Sequence, residues 1–150
     1  VDEHGHEDRH EHRAEVGRGQ ASRAGLTPLT DDECLALLSR AEVGRIAWCT
    51  SRGPVVLPVN IRLVGHAVLI RASGLSAMVA KIDAERVAVQ VDHLDADRRE
   101  GWSVLARGRA EVSFGPPTPG SPEPWPPGER SAAVRVTVDE LSGRRLTAGQ

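Results

Sequence analysis

Runs of alternating apolar and polar residues constrain this chain more than any other feature. The clearest is Arg86-Val87-Ala88-Val89-Gln90-Val91-Asp92, in which residues two apart share a face and only one face is apolar. Arg45 to Thr50, Pro54 to Leu63, His66 to Arg71, Gly101 towards Phe114 and Ala132 to Val138 also read as strands. Ser51-Arg52-Gly53 and Val64-Gly65 supply turns between them. Six short strands with turn punctuation and two helices predict a mainly β fold, a small antiparallel barrel in which closure removes exposed edges.

The first helix opens at Thr30-Asp31-Asp32-Glu33, a capping box followed by Cys34, Leu35, Leu37, Leu38 and Ala41 at helical spacing, and Gly44 ends it. On the second strand Val55, Leu57, Val59, Ile61 and Leu63 share the face expected to be core, with Val56, Pro58, Asn60 and Arg62 opposite. Pro58 lacks a ladder donor in mid-strand, which places this strand at an edge or bulge where a ligand could use the free backbone groups. The third strand runs through Ser73-Gly74-Leu75-Ser76 into a second helix ending near Lys81. Free helix amides, the hydroxyls of Ser73 and Ser76 and the charge of Arg71 suit such a junction to an anion such as phosphate. The same residues also suit an ordinary connection with Ser73 as the helix cap.

Small residues at Ala106, Gly108 and Ala110 of the fifth strand let another backbone or a flat ligand approach. The proline-rich stretch from Gly115 to Gly128, around Trp125, is too rigid and too poor in donors for a sheet interior and reads as a surface excursion.

At 150 residues the chain is expected to hold one domain, over residues 26–150. Residues 1–25 are polar, with His4, His6, His10 and His12, and read as a disordered tail; a zinc or nickel role for these imidazoles is the alternative. A net charge of −2 provides no basic field for nucleic acid. Cys34 and Cys49 have neither disulfide-scaffold nor metal-finger spacing, and both are expected to be core thiols in a reducing compartment. With no long apolar run and no signal-like start, no membrane partner is expected and the location is read as cytoplasmic.

Taken in order from Leu29 to Leu146, the sequence resembles the pyridoxamine 5'-phosphate oxidase-like family, FMN-binding split β-barrels of Greek-key type. The resemblance is carried by Leu29-Thr30, Gly44-Arg45-Ile46, Pro58-Val59-Asn60, the strand Val87 to Asp92, Gly101-Trp102-Ser103-Val104, Gly108, Trp125-Pro126-Pro127-Gly128-Glu129-Arg130 and Ser142-Gly143-Arg144-Arg145-Leu146. It is most similar to the bacterial subgroup that includes nitroimidazole-resistance-type flavoproteins. The resemblance implies a homodimer with FMN at its interface, acting on a small-molecule substrate.

By that resemblance, Arg71, Ser73 and Ser76 would hold the FMN phosphate. Val59 and Asn60 would lie beside the isoalloxazine, with Trp102 and Ser103 on the neighbouring strand, and Trp125 and Arg144 completing the site. Core or interface packing for Trp102, a loop anchor for Trp125, an edge-strand polar residue for Asn60 and a solvated charge for Arg144 are the plainer alternatives. The chain departs from the family pattern where Ala72 and Ala77 replace two usual phosphate ligands, with Lys81 one helical turn beyond. Two functions therefore stand: an FMN-dependent oxidoreductase taking electrons from a reduced nicotinamide, or a non-catalytic barrel binding a flavin, a deazaflavin (F420) or haem. His66 and His93, beside a turn and a charged loop, are not assigned catalytic roles.

Overall fold

The computed structural model of the protein describes residues 25–149 apart from residues 74, 75, 127 and 129. The His-rich segment lies outside the described residues, and so do Gly74 and Leu75 of the strand-to-helix junction. Gly25, read above as the end of the tail, already belongs to a strand.

Seven strands and two helices follow in the order β1 (Gly25–Pro28), α1 (Asp31–Arg40), β2 (Val43–Thr50), β3 (Gly53–Val64), β4 (Ala67–Ala72), α2 (Ala77–Ile82), β5 (Arg86–Asp95), β6 (Glu100–Phe114) and β7 (Ala132–Thr147). Every pairing is antiparallel, and the sheet runs β1-β7-β4-β3-β2-β5-β6. Pairing of β6 back onto β7 closes the ring, so the fold is a split β-barrel. Beyond the six strands read from the sequence, the structure adds the short β1. It also extends the last strand from Val138 to Thr147, where polar residues gain ladder partners from β6 on one side and β1 on the other.

The alternation does what its period demands. Val87, Val89 and Val91 of β5 are buried and meet Val104 and Ala106 of β6, with Ile46, Ile70, Val134 and Val136 completing the interior. Gly108 sits at a bulge in the β6–β7 ladder, and a β-carbon there would lie 1.9 Å from the Thr137 carbonyl oxygen. The small residue is thus required by the approach of another backbone, one of the two reasons offered for it.

Helix α1 begins as its capping box predicts, with Thr30 Oγ1 accepting from the Glu33 N–H at 3.2 Å and the Thr30 N–H donating to Glu33 Oε2 at 2.8 Å. The helix buries Cys34 and Leu38. Burial, helped by Asp31 and Glu33, pushes the Cys34 thiol up, so it remains a protonated core group. Cys49 differs from the expectation of a core thiol: it is exposed, because the odd positions of β2 face away from Gly44, Ile46 and Trp48.

Strand β3 has two halves. Ile61–Val64 pairs with β4, whereas Gly53–Asn60 pairs with β2 and with no other described strand. The Ile61 N–H donates to the Glu42 carbonyl at 3.0 Å, so odd-numbered residues of β3 turn their backbone groups towards β2 and even-numbered ones towards the free edge. Pro58 therefore stands on an edge, as its missing donor predicts. The apolar face of β3 is only partly core: Ile61 is buried, but Leu57 is 42% exposed because the wall it belongs to lines an open cavity.

Candidate functional site

The inner face of β2 and the unpaired half of β3 make one side of that cavity through Trp48, Val55, Leu57 and Val59. The end of β4 and helix α2 make the other, through Arg71, Ala72, Ser73, Ser76, Ala77, Met78 and Lys81. The proline-rich excursion borders it with Pro124, Pro126 and Arg130, and the volume of this open cavity is about 870 Å³. That is the size class of a cofactor site.

Charge distinguishes it. Arg52, Arg71, Lys81 and Arg130 line the cavity, and no acidic residue does so among the described residues, although the whole chain carries a net charge of −2. Arg71 is 8% exposed and has no carboxylate partner among the described residues. Its Nη2 donates to the carbonyl of Gly115 at 3.2 Å and to that of Arg130, which ties both ends of the excursion to β4. These neutral acceptors orient the guanidinium without cancelling its charge, and a buried cation calls for an anion. The positive field comes from side chains. Helix α2 spans only six residues, and Ser76 is its cap, its Oγ accepting from the Val79 N–H at 3.2 Å. Ser73, the cap proposed from the sequence, stands four residues before the first helical residue, too early to serve.

The apolar side of the cavity contains one unmet donor. Trp48 is 6% exposed, and its indole Nε1 has no acceptor among the described residues. Leaving such a donor unpaired costs about 1–3 kcal/mol.

The residues singled out in the sequence fall into two groups. Val59, Asn60, Arg71, Ser73 and Ser76 all line the cavity. Trp125 lies beside it in an adjoining groove of about 600 Å³ that shares Asn60 and Pro124, and its backbone N–H donates to Asn60 Oδ1 at 2.8 Å. Asn60 Nδ2 in turn donates to the Glu42 carbonyl at 3.4 Å, so this side chain pins the excursion at its middle while Arg71 pins its ends. Trp102, Ser103 and Arg144 are not brought to the cavity. Ser103 pairs with Arg144 on the β6–β7 ladder, which is three strands from Val59 by way of β2 and β5. That separation is about 14 Å at ordinary strand spacing.

Sequence reasoning left out Arg52, Arg130, Trp48 and Met78 and gave Lys81 no part in the site. The Lys81 signal was present, since Ala77 and Lys81 are four apart and share a helix face. Among the described residues no group of His, Cys, Asp and Glu is arranged to hold a metal ion, and no helix is long and apolar enough to cross a membrane.

A split barrel with a cationic, apolar-walled cavity beside a strand-to-helix junction has the shape and charge to suit an anionic ligand with an apolar body. The chain belongs to the pyridoxamine 5'-phosphate oxidase family, whose profile it matches over residues 30–145. It is 27% identical over 132 residues to the uncharacterized protein Rv0080 of Mycobacterium tuberculosis, covering 82% of this chain and 87% of that one. Among solved structures, the FAD binding protein from Mycobacterium smegmatis is 26% identical, with a TM-score of 0.65 over 81% of this chain and 98% of that one. A candidate 5-nitroimidazole antibiotic resistance protein from Bacteroides thetaiotaomicron is 13% identical, with a TM-score of 0.58 over 97% of this chain and 96% of that one, a likeness of fold alone.

Proposed function

We propose that the protein is a homodimeric flavoprotein that holds a flavin nucleotide in this cavity and passes electrons from a reduced nicotinamide to a small acceptor. The observation that carries the reading is the pairing of an apolar wall with four cations and no described carboxylate, which suits a flat ring joined to a phosphate. The similarity to a mycobacterial FAD binding protein supports a flavin, and FMN and FAD both carry the required phosphate.

In this reading Arg71 and Lys81 bind the phosphate from opposite sides of the β4–α2 junction, with Arg52 and Arg130 at the rim. The wall of Val55, Leu57, Val59 and Trp48 excludes water from the ring, and the free edge of β3 offers it the backbone groups of Pro58 and Asn60. When bound, the flavin supplies the redox chemistry, while this chain orients it and tunes its surroundings.

The second copy accounts for Trp102, Ser103 and Arg144, which only a partner can bring near the cavity. Leu94, Leu146 and Leu26 support such an association. They stand in one row across four strands, joined through Gly101, and are 68%, 38% and 57% exposed. Such an apolar row calls for cover.

A non-catalytic binding barrel is the second reading, favoured by Ala72 and Ala77 in the cavity wall. An anionic deazaflavin suits the same cations. Haem is the weaker alternative, because Met78 is the one common axial ligand type among the described lining residues and no His, Cys or Tyr accompanies it.

Titration with FMN, FAD and riboflavin, followed by flavin fluorescence and visible absorption, tests the proposal. Saturable binding of a phosphorylated flavin, tighter than riboflavin, is expected, followed by bleaching on addition of reduced nicotinamide. A protein that stays colourless with every flavin refutes it. Binding without bleaching selects the second reading, and a monomer in sedimentation at micromolar concentration removes the shared site.

A further inference from the structure

The indole of Trp48 is the one buried side-chain donor without an acceptor among the described residues, and it belongs to the wall of the cavity. The β2–β3 register explains its position. Trp48 lies opposite Val55, and Ile46 opposite Leu57, so one face carries a continuous apolar surface with a single polar atom in it. Buried donors are almost always paired, and one left unpaired in a cavity wall is explained by an acceptor that comes with the ligand. The cations come from other elements than this donor, the β2–β3 turn (Arg52), β4 (Arg71), α2 (Lys81) and the excursion (Arg130).

We infer that Trp48 is a ligand-positioning residue whose Nε1 donates a hydrogen bond to a ring acceptor of the bound flavin, a carbonyl oxygen or unprotonated ring nitrogen. The inference rests on the flavin reading above and adds a ring-specific contact to it. Charge at the phosphate anchors one end of the ligand, and the indole fixes how its ring lies on the apolar wall. Nε1 is closed to solvent. A ligand acceptor therefore reaches it only if the cavity wall around the indole repacks, and Met78, an unbranched and flexible side chain, lines the same cavity.

The decisive comparison is Trp48→Phe against wild type, each titrated with FMN and with riboflavin, which keeps the ring acceptors and lacks the phosphate. Loss of one neutral hydrogen bond should weaken both ligands by the same factor, about two- to tenfold. A purely structural role would lower the melting temperature without that ring-specific loss. Because the variant can also lose packing, the indole N–H resonance of Trp48 is followed in the wild-type protein during FMN addition, with Trp102→Phe and Trp125→Phe serving to assign it. A downfield shift of that proton on saturation is the expected result. Equal affinities for both ligands in wild type and Trp48→Phe, or an unmoved indole resonance at FMN saturation, overturn the inference and leave the flavin reading standing. Absence of any flavin binding by the wild type overturns both.

Discussion

Ala77 is the position where adding a charge should show whether a phosphate is held beside α2. It is the first residue of the helix, exposed, in the cavity wall and one turn before Lys81. In Ala77→Lys a second ammonium shares a face with Lys81. A charge-assisted hydrogen bond to phosphate contributes about 1.5–3 kcal/mol. Ordering the new side chain costs about 0.5–1 kcal/mol. The net gain of about 1–2 kcal/mol should tighten FMN by about fivefold to thirtyfold. Without ligand the same change is unfavourable, since a cation in the first turn opposes the helix dipole and repels Lys81, together about 0.5–1.5 kcal/mol. The variant should therefore melt a few degrees lower alone and gain more than wild type from FMN. Fluorescence titration with FMN and with riboflavin separates the phosphate from the ring. An FMN dissociation constant that moves by less than threefold, or a riboflavin constant that moves as much, refutes a phosphate site at this junction.

Arg71→Ala removes both a cavity cation and the tie to Gly115 and Arg130; FMN should bind about tenfold to a hundredfold more weakly, and protease should cut the excursion between residues 115 and 130 faster. Unchanged cleavage would show that Arg71 does not hold the excursion. Gly108→Ala places a β-carbon against the Thr137 carbonyl, and calorimetry should record a melting temperature lower by about 5 °C or more. The exposed Arg86–Asp139 pair, at 2.7 Å, holds the Asp139 carboxyl below its ordinary value of 3.8. Its contribution is therefore present above that pH and lost as pH falls through the lowered value. In low salt, the small difference in melting temperature between wild type and Asp139→Asn should vanish in acid; a difference that persists there has another origin.

The parts of the fold legible in the sequence were those whose alternation or capping is self-sufficient. β5 shows the period directly, and the Thr30 box marks the start of α1 to the residue. β1 and the last part of β7 were hidden because Gly25–Pro28 and Asp139–Thr147 carry too little apolar periodicity; each is a strand only because its partner offers a ladder. Leu57 was misplaced in the core because a period-two face does not reveal whether protein or a cavity lies over it. At the site, local clues at a conspicuous turn pointed to Arg71, Ser73 and Ser76, whereas Val59 and Asn60, next to Pro58, came from the family resemblance. Trp48 and Arg130 escaped because their place in the cavity wall arises from non-local packing. Nothing near either in sequence announces a donor without an acceptor or a cation at a cavity mouth.

The free half of β3 also bears on how this protein avoids sticking to itself. Gly53–Asn60 presents an edge on which Val56 and Leu57 are exposed, 56% and 42% respectively, a surface well suited to recruiting a foreign strand. Of the even-numbered residues that face outward from Pro54 to Asn60, both Pro54 and Pro58 lack an N–H. Every second donor along the edge is thus missing, so an incoming strand finds an interrupted ladder while a small planar molecule still finds carbonyls. The prolines act as gatekeepers, keeping the edge open to a ligand and closed to amyloid-like growth.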